Sequence, residues 1–166
     1  IPFGRGNSRS VSVAKIIKSI QNALNNNVKE IVLTGVDLTS WGKDFKERKS
    51  LGFLLKTIFS SLPDLPRLRV SSIDPAEIDH EFMDILADEE RFMPHLHLSI
   101  QHGDDLILKR MKRRHLYRDV INFVDEAKRR RSDIIFGADF ISGFPTENDQ
   151  SHQNSINLIK EADINK

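Results

Sequence analysis

Four polar side chains, Thr34, Ser71, Gln101 and Asp139, stand near the ends of four short apolar runs. Brought to one edge they would offer hydroxyl, amide and carboxylate groups to a polar ligand. A purely structural barrel interior is filled there by Val, Ile and Leu. Taken singly, each is also what a solvated strand end carries. A run of cations without an intervening acid, Lys109, Arg110, Lys112, Arg113, Arg114, His115 and Arg118, follows the third apolar run. It suits nucleic-acid phosphates, or equally a solvated helix end. His95 and His97 share a strand face, but two histidines without a third ligand at defined spacing are poor evidence for a metal. A hydrogen-bonded interior pair is expected instead. The chain has no cysteine, which excludes disulfides and thiolate chemistry within it.

The elements that position these groups follow from periodicity. Strands are predicted near 30–36, 67–73, 95–101 and 133–141. A helix with Val13, Ile16, Ile17, Ile20 and Leu24 on one stripe precedes the first strand, with Ser10 or Ser12 as its cap. A second helix, capped by Ser50, carries Leu51, Leu54, Leu55, Ile58, Phe59 and Leu62 and stops at Pro63 and Pro66. Asp74-Pro75 reads as a helix start, the Asp capping and the Pro in the first turn. A third helix then presents Ile78, Phe82, Ile85 and Leu86. Two helices lie between the third and fourth strands, with Leu106, Ile107 and Met111 on one and Val120, Ile121, Phe123, Val124 and Ala127 on the other. A last helix has Ile156, Leu158 and Ile159. Strands alternating with helices imply a parallel sheet.

Parity sharpens the picture, because side chains two apart on a strand share a face. His95, His97, Ser99 and Gln101 fall on one side of the third strand, and Leu96, Leu98 and Ile100 on the other. On the fourth strand Asp133, Ile135, Gly137 and Asp139 share a face. One parity packs under helices and the other points inside, so Thr34, Ser71, Gln101 and Asp139 are expected to form a polar ring near the top of the interior.

At 166 residues and net charge +1, length allows one domain with a sizeable core, and overall charge names no partner. No apolar stretch approaches membrane-spanning length, and a cytoplasmic location is expected. A closed eight-stranded barrel needs about 250 residues, so four strands imply a partial one. The chain begins at Ile1, and Glu161 to Lys166 continue a helical pattern; both ends read as cut. Trp41, in a polar loop, is expected to be partly buried rather than stacked on a base. Lys128 to Arg131 read as ordinary helix-end cations, and His80 and His152 as exposed.

These residues resemble a known family. Ile1-Pro-Phe-Gly-Arg-Gly-Asn-Ser-Arg-Ser10 is similar to the segment directly after the Cys-x3-Cys-x2-Cys loop of radical S-adenosylmethionine methylthiotransferases. Leu33 to Leu38, Arg69 to Pro75, Leu96 to Gln101, Leu108 to His115 and Asp139 to Glu147 resemble that family's later blocks, in order. The Thr-Gly-Val-Asp form is most like the tRNA threonylcarbamoyladenosine branch. The resemblance implies an α/β fold, a partial parallel (β/α) barrel of the radical SAM type, truncated at both ends, with residues 1–166 as one incomplete core domain.

It also implies S-adenosylmethionine as cofactor and [4Fe-4S] clusters in a longer parent, none ligated by this chain, since such clusters are held by thiolates. By resemblance, the cofactor residues are Thr34, Gly35, Asp37, Ser71, Ser72, Gln101, Gly103, Asp139, Ile141, Gly143 and Phe144. His102 stands where the family has serine. The residues expected to meet RNA are Arg5, Arg9, Lys109, Arg110, Lys112, Arg113 and Arg114; for Arg5 and Arg9 an ion pair within the barrel is equally open. The implied activity is methylthiolation of adenine C2 in a hypermodified adenosine beside the tRNA anticodon, with these residues alone inactive. The alternatives are a ribosomal-protein methylthiotransferase core and a non-catalytic nucleotide- or RNA-binding module. Oligomeric state is left open.

Overall fold

Strands that alternate with helices can pair in parallel only if each helix carries the chain back across the sheet, and the computed structural model has that order. It describes Gly4 and residues 6–165. Among the described residues the elements follow one another as α1 (Val13–Asn25), β1 (Ile31–Leu33), α2 (Leu51–Ser61), β2 (Leu68–Val70), α3 (His80–Asp88), β3 (His95–Gln101), α4 (Asp105–Arg110), α5 (Tyr117–Arg130), β4 (Ile135–Phe140) and α6 (Asp149–Glu161). Two short 3-10 turns, Leu38–Ser40 and Pro75–Glu77, follow β1 and β2. β1 pairs with β2 and β3 with β4, both parallel. Parallel bridges from Leu68 to Phe92 and from Ile73 to Leu98 join the two ladders. Among the described residues the sheet stays open, without closure into a barrel.

Regular pairing is shorter than the sequence suggests at three of the four strands. Beyond Leu33 and Val70 the chain leaves the ladder for loops; Ser71 N still donates to Leu33 O at 2.9 Å. Asp133 sits before β4 in the turn, 3.3 Å from Arg131 Nε. β3 keeps its full length, and its alternation is clear: Leu96, Leu98 and Ile100 are fully buried against the helices, while His95, His97, Ser99 and Gln101 face the other side. Each buried aliphatic chain contributes about 1.5–3 kcal/mol, so a one-residue slip of β3 would forfeit the core.

The helix stripes pack as their spacing requires. Leu54, Leu55 and Ile58 of α2, Phe82 and Leu86 of α3, and Val120, Val124 and Ala127 of α5 are at most 1% exposed. Leu106 departs from its expected stripe and is 55% exposed; on the short α4 only Ile107 and Leu108 face inward. At α1 neither serine caps. Ser12 holds the position without a side-chain bond, and Ser10 Oγ instead accepts from Gly42 N at 2.8 Å. Ser50 caps as expected, accepting from Phe53 N, whereas Asp74, accepting from Ala76 N, caps only the 3-10 turn Pro75–Glu77, and α3 starts later with Asp79 as its cap and Ile78 outside it. The helical pattern at the C-terminus ends at Glu161: Asp163 turns left-handed (φ 51°), and Ile164 forms a parallel bridge with Phe136.

The N-terminal edge of the sheet is tied by two arginines. Arg91, just before β3, donates to Phe59 O, Leu62 O and Pro63 O at the end of α2. Arg131, before β4, donates to Leu86 O and Glu89 O at the end of α3. Each guanidinium satisfies helix-end carbonyls that have no partner within the helix and favours the negative end of the dipole.

Gly103 sets how closely α6 approaches the end of β3. A Cβ there would lie 2.5 Å from Ser155 Cα and 2.6 Å from Asn154 O, and Gly103 N donates to the buried Ser155 Oγ at 2.9 Å. Gly103→Ala is expected to lower the unfolding free energy by about 2 kcal/mol or more, measured by urea denaturation. An unchanged midpoint would show that α6 moves aside freely.

Candidate functional site

A hollow of about 1170 Å³ runs along β1 and α1 to the loop at the C-terminal end of β1. Its floor includes the buried Ile20, Leu38, Trp41 and Leu54, and its walls include Thr34, Gly35 and Asp37. Trp41 is 8% exposed, donates through Nε1 to Val11 O at 2.9 Å, and meets Phe45 edge-on at 5.4 Å. The indole therefore fastens residues 10–11 over the hollow, a more buried role than the sequence suggests.

The loops around the hollow are held by charge. Glu77, whose side chain is 12% exposed, lies 3.0 Å from Lys43 Nζ and pairs with Arg114. It also accepts from Thr39 Oγ1 and Ser40 Oγ at 3.3 Å. Arg114 reaches Asp37 as well, at 3.8 Å. Arg113 donates to Ser99 O at 2.5 Å and to Asp74 at 3.3 Å. The fully buried His115 donates from Nε2 to Ile100 O at 2.9 Å and faces Asp74 Oδ1 from Nδ1 at 3.5 Å. The loops after β1, β2 and α4 thus form one network around Asp74 and Glu77. Glu77 carried no sequence signal, because its partners lie 37 and 38 residues away.

The basic run is accordingly divided. Arg110 donates to Thr146, and Arg113, Arg114 and His115 serve the network. Lys109 and Lys112 are exposed, and Lys112 and Arg9 line the hollow. Arg5 lies outside the described residues. Lys112 occupies the left-handed position that ends α4 (φ 57°): its N–H reaches Lys109 O at 3.0 Å, and Arg113 N reaches Leu108 O at 2.9 Å. Glycine is the usual residue there, and an L side chain costs about 1 kcal/mol or more. Farther on, Lys128 and Arg130 pair with Asp163 and with Glu126 and Asp84, as helix-end cations do.

The other expected site residues follow along the C-terminal edge of the sheet. Ser71 Oγ is shielded from solvent without a hydrogen-bond partner, and Ser72 is exposed. Gln101 has φ 72°, follows a register shift that begins at Leu98, and accepts from Ile141 N at 2.8 Å. Asp139 is 88% exposed, with one oxygen 3.5 Å from His97 Nε2. Ser71, Gln101 and Asp139 lie outside the lining of the hollow, so the expected ring is drawn along an open edge. Gly103 is committed to α6, which gives its small size a packing reason.

Beyond β4, Glu147 closes the loop that carries Gly143 and Phe144, a role the sequence did not assign to it. Its Oε2 accepts from Gly143 N at 2.5 Å and Phe144 N at 2.9 Å. The fully buried His102 accepts from Asp104 N through Nδ1, so Nε2 carries the proton and faces Glu147 Oε1 at 3.3 Å. Burial pushes the Glu147 carboxyl up, but the Phe144 amide, His102 and the Gly143 amide together hold it below its ordinary value. His152, exposed as expected, adds a contact at 3.2 Å. The buried histidine in place of the family's serine thus anchors the Gly143–Phe144 loop. Ile141 is exposed and Phe144 half-buried.

Among the described residues, no group of three or more His, Asp or Glu side chains is arranged to hold a metal ion. No helix there is long and apolar enough to cross a membrane.

An open parallel α/β sheet with a ligand-sized hollow that reaches the C-terminal end of β1 is the frame of a strand-end binding enzyme. The chain belongs to the radical SAM superfamily, whose family model matches residues 2–159. It is 44% identical over 164 residues to the threonylcarbamoyladenosine tRNA methylthiotransferase MtaB of Rickettsia prowazekii, covering 99% of this chain and 39% of that protein. It is 37% identical to the tRNA-2-methylthio-N(6)-dimethylallyladenosine synthase of Lawsonia intracellularis, covering 96% and 36%. The chain thus spans under two-fifths of the length of these relatives. Its fold matches a radical S-adenosylmethionine methyltransferase, TsrM, from Kitasatospora setae, solved with cobalamin and a [4Fe-4S] cluster, at a TM-score of 0.71 and 16% identity, covering 92% of this chain and 29% of that one.

The network gives the site an acid limit. Burial pushes the Asp74 carboxyl up, but hydrogen bonds from His115 and the Ala76 amide, with the charges of His115 and Arg113, hold it below its ordinary value. A carboxyl depressed on folding contributes stability that is complete above its unfolded pKa, about 3.9, and is lost as pH falls through the folded value. The chain is therefore expected to lose unfolding free energy below about pH 4. Asp74→Asn should make that decline shallower in urea titrations at stepped pH. An equal slope in both would remove Asp74 from the acid response.

Proposed function

We propose that this chain is the central part of a cytoplasmic radical SAM enzyme that methylthiolates C2 of a hypermodified adenosine in tRNA, beside the anticodon. The observation that carries this reading is 44% identity along 99% of the chain to the threonylcarbamoyladenosine relative, with the hollow bounded by the Thr34 to Asp37 block that the resemblance assigns to cofactor. The threonylcarbamoyl substrate is favoured over dimethylallyl because the identity is higher on that side, 44% against 37%.

The residues present fit S-adenosylmethionine. The hollow has room for it, and Thr34, Gly35 and Asp37 on its wall offer a hydroxyl, an amide and a carboxylate to its polar end. A carboxylate suits an ammonium group, and Leu38 and Trp41 keep water from the floor. When bound, the cofactor supplies a methyl group and, on reduction, a radical that abstracts hydrogen. On the far side of the open edge, the Gly143–Phe144 loop pinned by Glu147 provides an apolar shelf suited to a base. The residues do not fit an iron–sulfur cluster: there is no thiolate among the 166, and the ligands of any cluster lie elsewhere in the parent.

Deleting the parent gene and digesting the cell's tRNA to nucleosides for mass spectrometry tests the assignment. The 2-methylthio form of threonylcarbamoyladenosine is expected to vanish while its unthiolated precursor accumulates. Persistence of the methylthio nucleoside would overturn it. The 166 residues expressed in that strain are expected to restore none of the modification.

A further inference from the structure

Cations around the strand-end edge are mostly matched. Arg113 and Arg114 meet Asp74, Glu77 and Asp37, and Lys43 meets Glu77. Lys112 and Arg9 are not: both are exposed, both line the hollow, and among the described residues no side-chain hydrogen bond or ion pair engages either. Among the described residues the hollow is lined by three cations, Arg9, Lys112 and Arg114, against one carboxylate, Asp37, which is already held by Arg114 and Thr39. Its charge balance suits an anion at the mouth, where the exposed Lys112 stands above a buried floor.

Lys112 also occupies a position that glycine would fill with less backbone strain (φ 57°). A strained residue with no structural partner, at the rim of a ligand hollow, is the pattern expected where a side chain is kept for binding.

We infer that Lys112, assisted by Arg9, forms an anion-binding lip that recognises the carboxylate of the threonyl chain on the substrate adenosine. The inference rests on the function proposed above. The threonylcarbamoyl substituent ends in a carboxylate, whereas a dimethylallyl group carries no charge, so an unpaired cation at the mouth discriminates between them. The amino-acid end of the cofactor carries a carboxylate too. Substrate is favoured because Lys112 is at the exposed rim, while Arg114, which reaches Asp37, is already paired.

The test uses the full-length enzyme with its cluster reconstituted, on anticodon stem-loop RNA carrying threonylcarbamoyladenosine as the free acid or its methyl ester. The unsubstituted enzyme is expected to prefer the acid. Lys112→Gly should raise KM for the acid about tenfold, the size of one charge-assisted hydrogen bond, and bring acid and ester level. Lys112→Arg should retain the preference. The Tm of Lys112→Gly should be no lower than that of the unsubstituted protein; a lower value would put the residue's role in folding and overturn the inference. Survival of the preference in Lys112→Gly would overturn it, as would equal use of acid and ester by the unsubstituted enzyme. Weakened S-adenosylmethionine binding by Lys112→Gly in equilibrium dialysis, with RNA recognition intact, would assign the lysine to the cofactor and overturn it too. Failure of the unsubstituted enzyme to methylthiolate either RNA would overturn the function on which it rests.

Discussion

Parallel pairing obliges every strand of this sheet to point the same way, so the loops that leave the strands collect on one edge. β3 shows the force that fixes that arrangement. Leu96, Leu98 and Ile100 are sealed against the helices, and the pleat then has to present His95, His97, Ser99 and Gln101 to the opposite face. The position of any group along the C-terminal edge depends on that register, because β4 is aligned to β3 residue by residue from His95 to Leu98.

Electrostatics completes what the register starts. Asp74 and Glu77 sit on a single 3-10 turn, yet between them they engage the loops after β1 and α4. Because the carboxylates are largely shielded, removing one partner leaves a poorly solvated charge behind, which makes the arrangement stiff. A cationic stretch that reads in sequence as one surface feature is therefore two in space: arginines bonded to neighbouring loops as braces, and lysines left at the rim.

Periodic features were legible in the sequence, and long-range ones were not. The helix stripes of α2, α3 and α5 and the alternation of β3 are repeated signals, so single exceptions such as Leu106 do not erase them. The strand ends were harder, since a polar loop and a short ladder share the same residues near Thr34 and Ser71. Ser10 and Ser12 mark the limit for caps: the composition was right, but the Gly42 amide, 32 residues away, took the hydroxyl. Gly103 shows a different limit. A glycine that lets a ligand approach and one that lets a helix approach look alike until the neighbouring helix is in view. The tie between Glu147 and His102, residues on separate elements, was invisible for the same reason.

The two edges of the sheet are held by different means. At the N-terminal edge, Arg91 and Arg131 grip helix-end carbonyls, so fraying of α2 and α3 must first break several bonds to one planar group. At the opposite edge Gln101, the last residue of β3, and Lys112 and Thr146, in the loops beyond α4 and β4, take left-handed backbone. Amide exchange by local opening should then be slow at both edges, through captured carbonyls at the first and through the Asp74 and Glu77 network at the second, so an incoming molecule meets loops already held in place.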